Sequence, residues 1–416
     1  MRNSSAKDMA STDPDRRRRL SGGSIAPTRS TPEKIGRYEL CFELASGGMA
    51  SVYLARAAGA PGFQKLVALK RIHAHLAKEK EYVEMFLDEA RIASRITHAN
   101  VCSVFDFGEV NGEYFIAMEY LVGEPLSRVH RRVVANAEER SSPLLPSRMA
   151  RIIAQAAEGL HAAHELNDAD GQSLNVVHRD VSAENLFVTY DGDTQVVDFG
   201  IAHARQRVHH TEAGQVKGTF PYMAPEQMTA AVVDRRVDVW ALGAVLWELL
   251  TLRRLFLRDT DVNTMYAVLS GEIRPPSEYR SDVPPELDEI VLKALQRNPD
   301  ERWQSAREMG KALRRFLAKQ EELVGPAEIA EWMAELFPNG EARKHHLMEI
   351  ARTSPDQIAA DSPYQSELKS QRRNMAIPST AKYRVPAPPP LPASLLVMVI
   401  GVATVLTLVA LDWLRQ

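Results

Sequence analysis

Two short runs, Val176-Val177-His178-Arg179-Asp180-Val181-Ser182-Ala183-Glu184-Asn185 and Val196-Val197-Asp198-Phe199-Gly200, decide how this chain reads. Each places a carboxylate just past an apolar pair, the pattern of a buried segment delivering an acid to its exposed end. Asp180 is a candidate to accept a hydroxyl proton, and Asn185 offers a metal its amide oxygen. Asp198 exits a strand, poised to hold a hard cation that bridges phosphates. Any one of these is within reach of coincidence. Their order gains its meaning from what lies on either side.

Upstream, Tyr38 to Ala45, Ser51 to Ala57 and Leu66 to Ile72 alternate and are rich in β-prone residues, which predicts three strands, the first two joined at Ser46-Gly47-Gly48. Val83, Phe86, Leu87, Ala90 and Ala93 recur at helical spacing and predict a helix over Lys80 to Ile96. Val101 to Phe107 and Tyr114 to Tyr120 read as strands about the turn Asn111-Gly112, and past Gly123 the pattern turns mostly helical. A small sheet lobe precedes a larger helical one, an α+β arrangement. The turn Leu44-Ala45-Ser46-Gly47-Gly48-Met49-Ala50-Ser51-Val52 is built of small residues that let backbone N–H groups approach phosphate oxygens, although a plain hairpin turn accounts for it equally well. Lys70 closes an apolar strand and would serve a polyanion if a carboxylate held it, for which Glu89 is the candidate. Ala224-Pro225-Glu226 closes the segment that begins at Asp198.

With these features in one order, residues 37 to 317 resemble the eukaryotic-like (Hanks-type) protein kinases, in particular the bacterial Ser/Thr branch. The resemblance implies a two-lobed protein-kinase-like fold, small β-sheet lobe 35–121 and large helical lobe 122–317, that transfers the ATP γ-phosphate to protein Ser/Thr hydroxyls. It implies ATP with Mg²⁺, or Mn²⁺ in its place, as the cofactor set. Lys70 would hold the α- and β-phosphates and pair with Glu89, Asp180 would orient and deprotonate the acceptor, and Asn185 and Asp198 would bind the metal. The turn from Leu44 through Ala45, Ser46, Gly47, Gly48, Met49, Ala50 and Ser51 to Val52 would cover the phosphates. Val52 and Ala68 would roof the adenine, Phe187 would floor it, and Glu119 and Leu121 would offer it hinge backbone groups. Asp238 would brace the catalytic loop, and Arg302 would pair with Glu226.

The same resemblance makes Arg179 the partner of a phosphate at Thr211 and gives Thr219 a role at the acceptor. It implies autophosphorylation, in trans if two copies pair, though no heptad repeat demands pairing. Glu124 and Glu184 match positions that read arginines upstream of an acceptor, with Ser21 after Arg18-Arg19-Leu20 as an acceptor within the chain; binding of the ribose by Glu124 is the other reading. Three departures stand out. Ala45 and Ala50 occupy glycine positions, and Ser182 stands where many Ser/Thr kinases have a lysine. They leave open a membrane-anchored pseudokinase, a nucleotide-binding scaffold without transfer.

Composition sets the surroundings: 45% apolar against 25% charged residues calls for a real core, and a formal charge of −3 gives no field favouring nucleic acid. Two cysteines make no disulfide framework. Residues 1–34 read as a disordered basic arm, and no apolar run follows Arg16-Arg17-Arg18-Arg19, against a cleaved signal peptide. Residues 318–352 carry a helical extension, Glu328 to Leu336 and then Ala342 to Ala351, that packs on the large lobe or binds a partner. A flexible Pro-rich linker, 353–392, leads to an uncharged stretch, 393–412 with its boundary aspartate, whose helix of roughly 28 Å would span a bilayer core. Lys382 and Arg384 before it predict a single-pass membrane protein with its kinase domain in the cytoplasm, and the resemblance, with no targeting signal beside it, implies a bacterial inner membrane. Only Asp412 to Gln416 follow the span, too few for an external sensor.

Overall fold

The alternating segments pair into one antiparallel sheet in the computed structural model, which describes residues 33–58, 64–199, 220–229 and 232–353. All of these lie in one unit of the chain, Met1–Asp361; the second, Ser362–Gln416, is outside them. The small lobe holds β1 (Lys34–Ile35), β2 (Tyr38–Ser46), β3 (Ala50–Ala58), β4 (Gln64–Ile72), α1 (Lys80–Ala93), β5 (Val104–Val110) and β6 (Glu113–Met118). Spatial order is β1-β2-β3-β4-β6-β5, so the chain passes through α1 to an edge and comes back beside β4. Side chains of a strand alternate between faces. Val67 and Leu69 join the core on one face, with Ile35, Ala55, Phe115 and Ala117. Lys70 and Ile72 fall on the other, where Ile72 meets Phe86 and Ala90 of α1. That parity aims Lys70 at the helix carrying Glu89.

Two of the boundaries that differ from the sequence reading do so for one reason. The helix ends at Ala93 rather than Ile96, and the next strand starts at Val104 rather than Val101. The backbone between them is committed elsewhere: Val196 N–H donates to the Asn100 carbonyl at 2.9 Å, and Cys102 N–H to the Val196 carbonyl at 3.0 Å.

The large lobe follows with β7 (Gly123–Pro125), α2 (Leu126–Ala135), α3 (Ala137–Arg140), α4 (Leu145–His164), β8 (Leu186–Thr189) and β9 (Thr194–Val196), then α5 (Pro225–Met228), α6 (Arg236–Thr251), α7 (Asp261–Ser270), α8 (Pro285–Ala294) and α9 (Ala306–Leu317). Strands β7-β8-β9 form a second sheet. Helix α6 is mostly apolar and buried from Val237 to Thr251, its carboxylates Asp238 and Glu248 included, with α4, α8 and α9 packed against it. Thr260 and Ser305 cap α7 and α9, each accepting the backbone N–H three residues on.

The extension forms α10 (Pro326–Leu336) and α11 (Gly340–Thr353), the second opening two residues before the sequence reading, directly after left-handed Asn339. Ile329, Trp332 and Met333 of α10 enter the large-lobe core. Helix α11 lies on β7 and also on β3 and β4; Arg56 donates to the Arg352 carbonyl at 3.2 Å. The extension thus touches both lobes. Thr211, Thr219, Ser21 and the expected membrane span fall outside the described residues, among which no helix is long and apolar enough to cross a membrane.

Candidate active site

Lys70 Nζ donates to Glu89 Oε1 at 2.8 Å and to Asp198 Oδ1 at 2.9 Å. Burial alone would lower the ammonium's pKa, but Asp198 and Glu89 hold it above the ordinary lysine range, so the charge persists. The strand, the helix and the segment after β9 therefore converge on one cation.

The loop from His178 to Asn185 is hung from α6. Asp238, fully buried, accepts His178 N–H and Arg179 N–H at 2.8 Å each, and His164 Nε2–H at 2.8 Å. Burial would raise this carboxyl, yet the His164 hydrogen bond and the nearby imidazoles keep it below the usual carboxylate range. These bonds sustain Arg179 at φ 67°; Asp198 stands at φ 52°, and such left-handed residues cost about 1–3 kcal/mol each. His178 Nε2–H donates to the Val197 carbonyl at 3.1 Å, and its ring lies 4.8 Å from that of Phe199, joining the loop to the Asp198 segment.

Asn185 Nδ2 donates to the Asp180 carbonyl at 2.8 Å and to Asp180 Oδ2 at 3.0 Å. With the amide nitrogen so engaged, Oδ1 is the atom Asn185 presents to a cation, and the Asp198 side chain keeps 38% of its surface exposed. Asp198, beside Lys70, and Asn185, whose backbone carbonyl accepts Val197 N–H at 3.0 Å, are hard oxygen donors of the kind that fit Mg²⁺. The expected structural pair is in place as well: Arg302 binds Glu226 through two bonds, 2.6 and 2.7 Å, inside the large lobe.

The small-residue turn joins β2 to β3, with Gly47 N–H on the Ala50 carbonyl at 2.9 Å and the Ser46 and Ser51 hydroxyls 2.9 Å apart. In register, Val52 stands opposite Lys70 and Ala68 opposite Met118. Phe187 lies on β8 between Pro125 and Gln195. After β6, Glu119 N–H donates to the Ser103 carbonyl at 2.8 Å and its own carbonyl accepts Cys102 Sγ–H at 3.6 Å, with Leu121 buried just beyond. A cavity behind Met118 is lined by Glu89, Cys102, Ile116, Asp198 and Phe199.

Glu124 corrects the sequence reading. It is 1% exposed, accepting Tyr190 O–H at 3.0 Å and Arg128 at 2.9 Å, and so faces neither a ribose nor a substrate arginine. The sequence reading also missed His164, the third donor to Asp238, which nothing but its place on the last turn of α4 could have flagged.

A profile of the protein kinase domain family matches residues 38–312. The tyrosine-protein kinase MasK of Myxococcus xanthus is 45% identical over 69% of this chain and 44% of its own length. For the serine/threonine-protein kinases PknB of Mycolicibacterium smegmatis and PrkC of Bacillus subtilis the identities are 37% and 32%, over 67% and 66% of this chain and 43% and 39% of theirs. The match thus spans less than half the length of these curated relatives. Among solved structures, the kinase domain of Mycobacterium tuberculosis PknI superposes with a TM-score of 0.51 at 26% identity, covering 69% of this chain and 98% of that one.

Proposed function

The chain belongs to the protein kinase domain family, and on that premise we propose that it transfers the γ-phosphate of ATP to Ser and Thr hydroxyls of proteins. The double engagement of Lys70 by Glu89 and Asp198, at 2.8 and 2.9 Å, carries this reading: phosphoryl transfer needs the ion pair and the metal-side carboxylate in place together. Lys70 holds the α- and β-phosphates. Asp180, oriented by Asn185, takes the proton of the acceptor hydroxyl as its oxygen bonds to the γ-phosphorus. The bond from that phosphorus to the bridging oxygen breaks, and ADP leaves. Asn185 and Asp198 would hold Mg²⁺, which neutralises charge on the phosphates when bound.

Arg179 supports control by phosphorylation: its Nε is buried with no hydrogen-bond partner among the described residues, ready for a phosphate at Thr211 in the segment that also holds Thr219. Autophosphorylation supplies that phosphate, in trans if two copies pair. Residues 393–412 tether the kinase to the cytoplasmic face of a membrane, a reading that rests on their apolar composition and flanking cations, and the likeness to bacterial kinases makes it a bacterial inner membrane.

One observation favours a second reading of the acceptor. The relative with 45% identity is named a tyrosine-protein kinase, and Ser182 removes the lysine common in Ser/Thr enzymes. The test is transfer of labelled γ-phosphate by the full chain with Mg²⁺ and a basic protein substrate, beside Asp180→Asn, followed by phosphoamino-acid analysis. Phosphoserine and phosphothreonine that fall by about 10²–10⁴-fold in the variant are expected. Phosphotyrosine instead would favour the second reading, and nucleotide binding without label in either protein would leave a nucleotide-binding scaffold.

A further inference from the structure

β4 ends at Ile72, and the next residue ties the strand that carries Lys70 to the turn between β2 and β3 at two points. His73 N–H donates to the Met49 carbonyl at 3.0 Å, one bond beyond the Ala50–Ile72 pair. The His73 side chain then reaches across the turn, with Nε2 2.9 Å from the Gly47 carbonyl oxygen. A carbonyl only accepts, so this ring nitrogen carries the proton. The His75 ring stacks behind it, centroids 5.7 Å apart and planes 12° from parallel.

We propose that His73 is a positioning residue for the nucleotide, acting through the peptide between Gly47 and Gly48. Two consecutive glycines leave that peptide free to turn over, since neither has a Cβ to restrict it. In a planar trans peptide the carbonyl and the following N–H point in opposite directions. Anchoring the Gly47 oxygen on His73 therefore directs the Gly48 N–H away from His73. The space about Gly48 is open: a Cβ built there meets nothing within 4 Å. The ordering that a polyphosphate would otherwise impose on the turn is already present in the free protein, which favours binding. Ala45 and Ala50 stiffen the flanks of the turn, and His73 holds its centre. This role rests on the reading of the turn as the phosphate cover of a kinase.

The experiment uses the full chain and measures binding rather than turnover. Affinities for Mg·ATP and for adenosine are compared by NMR titration in wild type, His73→Ala and His73→Gln, with hydrogen exchange of residues 46–50 followed in the nucleotide-free proteins. Loss of one neutral hydrogen bond predicts Mg·ATP binding weaker by about threefold to tenfold in His73→Ala, with adenosine unchanged and exchange of the turn faster. The glutamine side chain also carries an N–H donor and restores most of the ATP affinity. A wild-type affinity in His73→Ala, an equal loss for adenosine, or a glutamine variant as weak as alanine would overturn the role of His73 while leaving the kinase reading intact. A wild-type chain that fails to bind Mg·ATP sinks both.

Discussion

An ammonium shared by two carboxylates is sensitive to the loss of either one. With Glu89→Gln, Lys70 keeps Asp198 alone as an ionic partner among the described residues, so the cation and Mg²⁺ compete for the same carboxylate. Phosphoryl transfer should fall on the order of 10²-fold, read as kcat/KM for ATP, and a variant within twofold of wild type would show that the ion pair does not position Lys70. Lys70, Glu89, Asp180, Asn185 and Asp198 were legible in the sequence because each is polar at or near an apolar run. A buried charge requires partners: Glu89 was the candidate that the resemblance paired with Lys70, whereas the second bond of Lys70, to Asp198, was not anticipated. Glu124 looked equally polar, but its burial depends on Tyr190 of the β8 end and Arg128 of α2 arriving together, a matter of register that charge alone does not reveal. His73 sits among solvated residues, and its contact with Gly47 arises only once β3 and β4 have paired.

Elements were legible where one period dominates and blurred where backbone groups find distant partners, as at Val101, or where a left-handed residue restarts a helix, as at Asn339. An electrostatic feature that no periodicity reveals lies in α2. Burial, with the charges of Arg254 and Arg131, lowers the His130 ring from 6.5 to about 4. The unfolded chain then takes up this proton near pH 6.5 and the folded chain only near 4. Its stabilising contribution is complete above pH 6.5 and is lost as pH falls through that window, by up to about 3 kcal/mol. Urea unfolding from pH 7 to 4 should show a shallower decline in His130→Leu than in wild type; parallel curves would remove His130 as the cause. A second test lies in the β8–β9 turn, where Gly192 has φ 85° and a Cβ would stand 1.8 Å from the Pro326 carbonyl of α10. Gly192→Ala combines a left-handed alanine with a backbone clash and should destabilise by more than about 2 kcal/mol, seen as a lower melting temperature.

Across the molecule, the family match stops at residue 312 while the folded layer continues to Thr353. The sequence offered α10 and α11 as a helical extension that packs on the large lobe or binds a partner, but a helical pattern does not say which surface it meets. It meets both lobes. Trp332 is 1% exposed and donates to Glu139 at 2.6 Å, with Arg148 5.1 Å from its ring. Arg128 and Arg132 of α2 lie 5.6 and 5.5 Å from the Phe337 ring. At Gly340 a Cβ would fall 2.0 Å from the Tyr190 hydroxyl, so a side chain there would have to displace the Tyr190 ring. Beyond that contact Leu347, Ile350 and Ala351 are buried, and the Ala351 carbonyl meets Cys41 Sγ of β2 at 4.0 Å. Ending the chain at Leu317 uncovers this seat on both lobes and leaves an apolar patch in water, whereas ending it at Thr353 removes none of these contacts. The shorter chain should melt at least about 5 °C below the full chain and self-associate on sizing, and the chain to Thr353 should melt within about 2 °C of it. Equal melting of all three would mean that the extension rests on the kinase domain without holding it.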